Sequence, residues 1–206
     1  MHVISPATDV IVRVPENDPA WIGRVLDTGA RGVIVPMIED AEQAARAAEA
    51  TRFPPAGHRS WGQFAEHWGR VERTVAEANA YAVCAVMVET RKGLDNVDAI
   101  AAVPGIDMIY VGPFDLSIAL GLSIEDLLAG DGSELATITA ACHDHDVIPG
   151  AFAGTSARTA MLTGLGFEVL AAITDRQILT DGAAALKPKE TSKDASAAHP
   201  SMNLDY

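Results

Sequence analysis

Two carboxylates, Glu89 and Asp115, each close an apolar run: AVCAVMV leads into Glu89, and IDMIYVG leads into Pro113-Phe114-Asp115. Residues 92–103 between them read as a helix. In a parallel βαβ unit the carboxyl ends of both strands lie on one side of the sheet. Neighbouring strands are ~4.8 Å apart, so the two side chains can converge on one ion. The plainer reading leaves both acids solvated, with Asp115 capping the helix that begins at Leu116.

Other residues with chemical potential have blander readings beside them. Residues 53–63 break the local pattern, since Pro54-Pro55 and Gly57 forbid regular structure, and the resulting loop carries Arg59. His58 adjoins Arg59, but neighbouring loop residues usually point apart. His143 and His145 alternate with Asp144 and Asp146 at a helix end, where imidazole meets the negative end of the helix dipole, so a solvated terminus is expected rather than a metal cluster. Trp21, Trp61 and Trp68 read as core or subunit-contact anchors.

The elements that must position these groups alternate along the chain. Strands are predicted at 9–14, 32–37, 83–88, 106–112, 147–152 and 167–173. Helices are predicted at 20–28, 41–51, 67–81, 92–103, 133–143, 156–163 and 175–186, with short turns at 116–120 and 124–128. The alternation allows an open doubly wound sheet or a barrel. An open sheet would carry a glycine-rich phosphate turn after an early strand, which this sequence lacks, so a barrel is the better choice. Residues 1–186 are expected to form one domain and the Pro-, Lys-, Ser- and Ala-rich residues 187–206 a disordered tail.

Composition narrows the function. Of 206 residues, 49% are apolar but only 5% aromatic, which suits Val, Ile, Leu and Ala strands packed under Ala-rich helices. A formal net charge of -13 argues against a nucleic-acid partner, because phosphate neutralisation needs a basic track. Cys84 and Cys142 sit in apolar surroundings and imply no disulfide framework. The first ten residues, MHVISPATDV, lack a signal-peptide pattern, and no apolar stretch is long enough to cross a membrane. A cytoplasmic chain is expected.

The segments VRVPENDP, LDTGARGVIVPMIEDAEQAARA, TRFPPAGHRSWG and VMVETRKGLDNVDAIAAVPGIDMIYVGPFDLSIALG together resemble the HpcH/HpaI aldolase/citrate lyase family, and in particular its metal-dependent 2-oxo acid aldolases. The resemblance implies a (β/α)8 TIM barrel of the phosphoenolpyruvate/pyruvate type, with about six of its eight βα units in this chain. It implies Glu89 and Asp115 as ligands of Mg2+ or Mn2+, and Arg59 as a catalytic arginine. Gly112, Pro113 and Phe114, with Asp115, would then hold the 2-oxo acid. The implied reaction is cleavage of a 4-hydroxy-2-oxo acid to pyruvate and an aldehyde, in a homo-oligomer.

Family members carry two further βα units, and a catalytic histidine, ahead of the segment that begins at Asp9. None of the six histidines matches that position, Met87 replaces a common Gln, and Ser60 replaces a usual Gly. Impaired turnover is therefore expected. A non-catalytic barrel or oligomer subunit is the alternative, and an acyl-CoA ester lyase of the citrate lyase branch a weaker one.

Overall fold

The computed structural model describes residues 8–62, 73–129 and 133–186. Contacts divide the chain into two compact units, Met1–Ala172 and Ile173–Tyr206. The first carries all the described strands: β1 (Ile11–Arg13), β2 (Gly32–Val35), β3 (Val83–Val88), β4 (Met108–Val111), β5 (Ile148–Phe152) and β6 (Val169–Ala171). They pair in parallel and in sequence order, β1-β2-β3-β4-β5-β6. A doubly wound sheet reverses its strand order at a switch point, and this one does not. The architecture is α/β, a partial barrel of the (β/α)8 kind.

Helices separate the strands. They are α1 (Pro19–Asp27), α2 (Ala41–Thr51), α3 (Val75–Tyr81), α4 (Arg91–Asp95), α5 (Val97–Ala101), α6 (Pro113–Leu120), α7 (Ile124–Ala129), α8 (Ser133–Asp144) and α9 (Ser156–Gly164). Asp18 caps α1 by accepting from Ala20 and Trp21, with Pro19 at its first position, as Asn17-Asp18-Pro19 predicts. Alternation along the strands sends Val33, Val35, Cys84, Val86, Val88, Ile109 and Val111 into the main core, which also holds Ala44, Ala47, Ile100 and Ile138 from the helices. The other face presents Ala85, Met87, Met108 and Tyr110, with Ile34, Phe152 and Ala171 against them. This second face is the barrel's interior side.

The structure departs from the sequence expectation in several places. The helix expected over 92–103 divides at Asn96, whose Nδ2 donates to Lys92 O and Glu39 O and draws the backbone out of a continuous helix. Asp115 is not the cap of its helix. Gly112 holds that place, and Pro113, whose ring presets helical φ, starts α6 earlier. The outer strands are shorter than expected, at three residues each.

Of the helix expected at 67–81, the described part is α3, opened by a capping box between Thr74 and Glu77. Arg73 and Thr74 precede it outside any helix, while residues 67–72, Trp68 among them, and the tail 187–206 lie outside the described residues. Trp21 and Trp61 are 48% and 55% exposed and so anchor no core. Cys84 and Cys142 are buried, and burial pushes both thiols up to about 12. Among the described residues no helix is long and apolar enough to cross a membrane.

In the second unit α10 (Asp175–Ala185) is capped by Thr174, which accepts from Gln177 N, and none of its residues is buried.

Candidate metal and 2-oxo acid site

Glu89 directly follows β3, whose residues from Cys84 to Val88 are all buried, and is itself only 3% exposed. Alternation from Ala85 and Met87 places it on the interior side of the sheet. Its Oε1 accepts from Met37 N at 2.9 Å, which fixes one oxygen and leaves the other directed elsewhere.

The direction is given by Gly112, at the end of the neighbouring strand β4. A methyl carbon built on Gly112 would lie 3.1 Å from Glu89 Oε2 and 3.5 Å from Asp115 Oδ2. Both carboxylates therefore border one small space, kept open because Gly112 has no side chain. Two carboxylate oxygens form a hard donor set that suits a divalent cation such as Mg2+ or Mn2+. No group of three or more His, Cys, Asp or Glu side chains forms a metal cluster among the described residues. An ion held by this pair would take its remaining ligands from water and substrate, as Mg2+ commonly does.

The same corner offers donors for an anion. At the start of α6 the backbone N–H groups of Pro113's successors, Phe114 and Asp115, precede the first residue that can bond within the helix, Leu116, whose N–H reaches Gly112 O at 2.9 Å. Such N–H groups favour a carboxylate. Asp115 lies within that first turn, so ion and anion sites adjoin.

The structure does not bring Arg59 to this corner. Its N–H bonds Arg52 O just beyond α2, and its Nη2 donates to Asp27 Oδ1 at 2.7 Å, where α1 ends. Helices that leave the carboxyl edge of the sheet end at its amino edge, so Arg59 and Glu89 stand at opposite ends. Six-residue β3 alone spans ~20 Å. Arg59 is buried with its guanidinium 4.5 Å from the Phe53 ring centroid, away from Glu89 and Asp115. A cavity of about 330 Å³ borders it and runs along α1, lined also by Pro19, Arg24, Asp27 and His58.

Arg13 is a cation at the correct end. It is the last residue of β1, its register partner is interior-facing Ile34, and it is exposed. The same rule that singles out Glu89, a charged residue closing a β-branched run, applies to IVR before Val14-Pro15. The three described histidines stand away from the site: His58 beside Glu49 at the end of α2, and His143 and His145 at the end of α8, near Glu168 and Asp98.

The model of the HpcH/HpaI aldolase/citrate lyase family matches residues 1–148 of this chain. The chain belongs to that family. Among similar proteins, the 4-hydroxy-2-oxovalerate aldolase of Novosphingobium aromaticivorans is 45% identical over 141 residues, 66% of this chain and 54% of that protein. The hydroxypyruvate/pyruvate aldolase of Chromohalobacter salexigens is 47% identical over 114 residues, 54% of this chain and 45% of the relative. The chain thus spans about half the length of the curated relatives it matches. The crystal structure of an HpcH/HpaI family protein from Burkholderia cenocepacia superposes with a TM-score of 0.75 at 34% identity, over 85% of this chain and 70% of that one.

Proposed function

We propose that this chain carries the metal- and 2-oxo-acid-holding half of a class II aldolase site, acting in cleavage of a 4-hydroxy-2-oxo acid to pyruvate and an aldehyde. The observation that carries the reading is the convergence of Glu89 Oε2 and Asp115 Oδ2 on the open side of Gly112. The aldolase names of the relatives support the reaction class.

In the cleavage the C3–C4 bond breaks, the 4-hydroxyl loses its proton as the aldehyde forms, the bonding pair moves toward the C2 oxygen to give the enolate of pyruvate, and C3 then takes up a proton to give pyruvate. Glu89 and Asp115 would hold Mg2+ or Mn2+, which would supply Lewis-acid stabilisation of charge on that oxygen. The chain's own groups do the remaining work. The N–H groups of Phe114 and Asp115 receive the substrate carboxylate and set its orientation. Gly112, with no side chain, keeps the space between the two acids open. Arg13 extends from the end of β1 on the interior side and offers a guanidinium to the developing oxyanion. Arg59 has no part in these steps.

The proton on the 4-hydroxyl needs an acceptor, and the described histidines all lie at the other edge of the sheet. That observation favours the second reading, a chain that binds ion and 2-oxo acid without efficient turnover. General acid-base help is worth ~10²- to 10⁴-fold, so slow exchange at the pyruvate methyl is expected with little aldol cleavage.

Calorimetry with Mn2+ tests the first half: binding is expected in the wild-type chain and lost in Glu89→Ala and Asp115→Ala. Unchanged affinity in both variants would sink the assignment. Deuterium incorporation into pyruvate, followed by proton NMR with and without Mn2+, tests the second half. Rapid aldol cleavage by the isolated chain would overturn the non-catalytic reading.

A further inference from the structure

We propose that Met37 is a positioning residue, whose left-handed backbone decides which oxygen of Glu89 remains free for the metal. The inference rests on the metal reading of Glu89 and deepens it. Met37 has φ +57°, and Asp146 is the one other non-glycine with positive φ among the described residues. That conformation costs a side chain with a Cβ ~1–2 kcal/mol. The Met37 side chain is 55% exposed, so burial of the thioether does not offset the cost.

Two consecutive N–H groups account for the backbone turn. Met37 N–H donates to Glu89 Oε1 at 2.9 Å, and Ile38 N–H donates to Met87 O at 3.1 Å. One donor thus grips the ligand's side chain and the next grips the strand that carries it. The segment is fastened at further points: Asn96 Nδ2 donates to Glu39 O at 2.9 Å, and Lys92 Nζ reaches Asp40 Oδ2 at 3.1 Å. Gly93 permits the approach, since a Cβ there would lie 2.7 Å from Ile38 O. Residues 36–40 form a brace across the root of the Glu89 loop.

A carboxylate hanging from a loop could rotate and offer either oxygen, or both. With Oε1 held by the Met37 backbone N–H, Oε2 is the oxygen left beside Gly112 and Asp115. Groups of this kind, which orient a metal ligand without touching the metal, are worth ~10- to 100-fold in affinity.

The test varies how well residue 37 tolerates positive φ. Glycine adopts it freely and asparagine readily, whereas a β-branched side chain resists it. Mn2+ calorimetry should give Met37→Gly and Met37→Asn affinities near the wild type, and Met37→Val an affinity lower by ~10-fold. Equal losses in Gly and Val, or no loss in Val, would overturn the proposal.

Amide hydrogen exchange provides a readout that needs no metal and no valine variant. The Met37 N–H should exchange faster in Glu89→Ala than in the wild type, and an unchanged rate would count against the proposal. If the wild-type chain takes up no Mn2+, the metal reading fails, while the exchange result still decides whether Met37 holds Glu89.

Discussion

A methyl group at Gly112 would press on two neighbours at once, Glu89 Oε2 and Met87 Cε, each 3.1 Å away. Gly112→Ala is therefore expected to weaken Mn2+ binding in calorimetry while leaving the thermal transition little changed, because both displaced atoms end side chains that need shift only by a few tenths of an ångström. Arg59→Ala should do the reverse. Removing a buried guanidinium leaves Asp27 without its partner and Phe53 without its stacked cation, at a cost of about 3 kcal/mol in urea unfolding. Folded Arg59→Ala should bind Mn2+ like the wild type; a lost affinity would return Arg59 to the site. The contrast between Arg59 and Arg13 shows why the positions of candidate residues were only partly legible. Glu89 and Asp115 stood at strand ends that apolar runs marked clearly, whereas Arg59 lay in a loop whose edge of the sheet no local pattern reveals.

Elements were more legible than residue roles, and for a physical reason. Strands β3 and β4, covered on both faces, read as continuous apolar runs. The break at Asn96 was not legible, since it depends on Glu39 O, a group 57 residues away in sequence. Helix α2 shows how local chemistry reaches the site through an element. Its cap, Asp40, is held below the ordinary carboxyl value of 3.8, first by the Gln43 N–H and then by Lys92. A pKa depressed in the folded state contributes stability above 3.8 that is lost as pH falls through the lower folded value. Asn caps nearly as well but does not titrate. The melting temperature of wild type should thus exceed that of Asp40→Asn near pH 7, and the gap should close in acid below the ordinary carboxyl value. A gap that stays constant across that range would contradict the charge contribution of this cap.

At the scale of the molecule, the consecutive parallel order leaves β1 and β6 each with one described partner strand. Unpaired edges template association, and β6 exposes Val169 at 37%. Light scattering after size exclusion is expected to find species larger than a monomer, and Val169→Lys should shift them toward the monomer. A monodisperse monomer with a cooperative transition would show that the edges are already satisfied. The barrel class was legible from βα alternation together with the lack of a glycine-rich phosphate turn. The shortness of β1 and β6 was not, because Val10, Val14, Phe167 and Ile173 fit a strand pattern by residue type, while the ladder ends where pairing partners end.

The edge of the sheet opposite Glu89 has a network of its own. Asp107 Oδ2 accepts from Arg52 Nη2 at 2.8 Å and from Cys84 N at 2.7 Å, tying the end of α2 to the first turns of β3 and β4. For a protein engineer this is a firewall. Substitutions separated by the full length of a strand and sharing no partner combine additively. Strengthening the amino-edge network would raise the tolerance of the chain to mutation without touching the candidate site. The loops at the carboxyl edge could then be varied from a sturdier starting point, as in a tool whose handle and bit are exchanged separately.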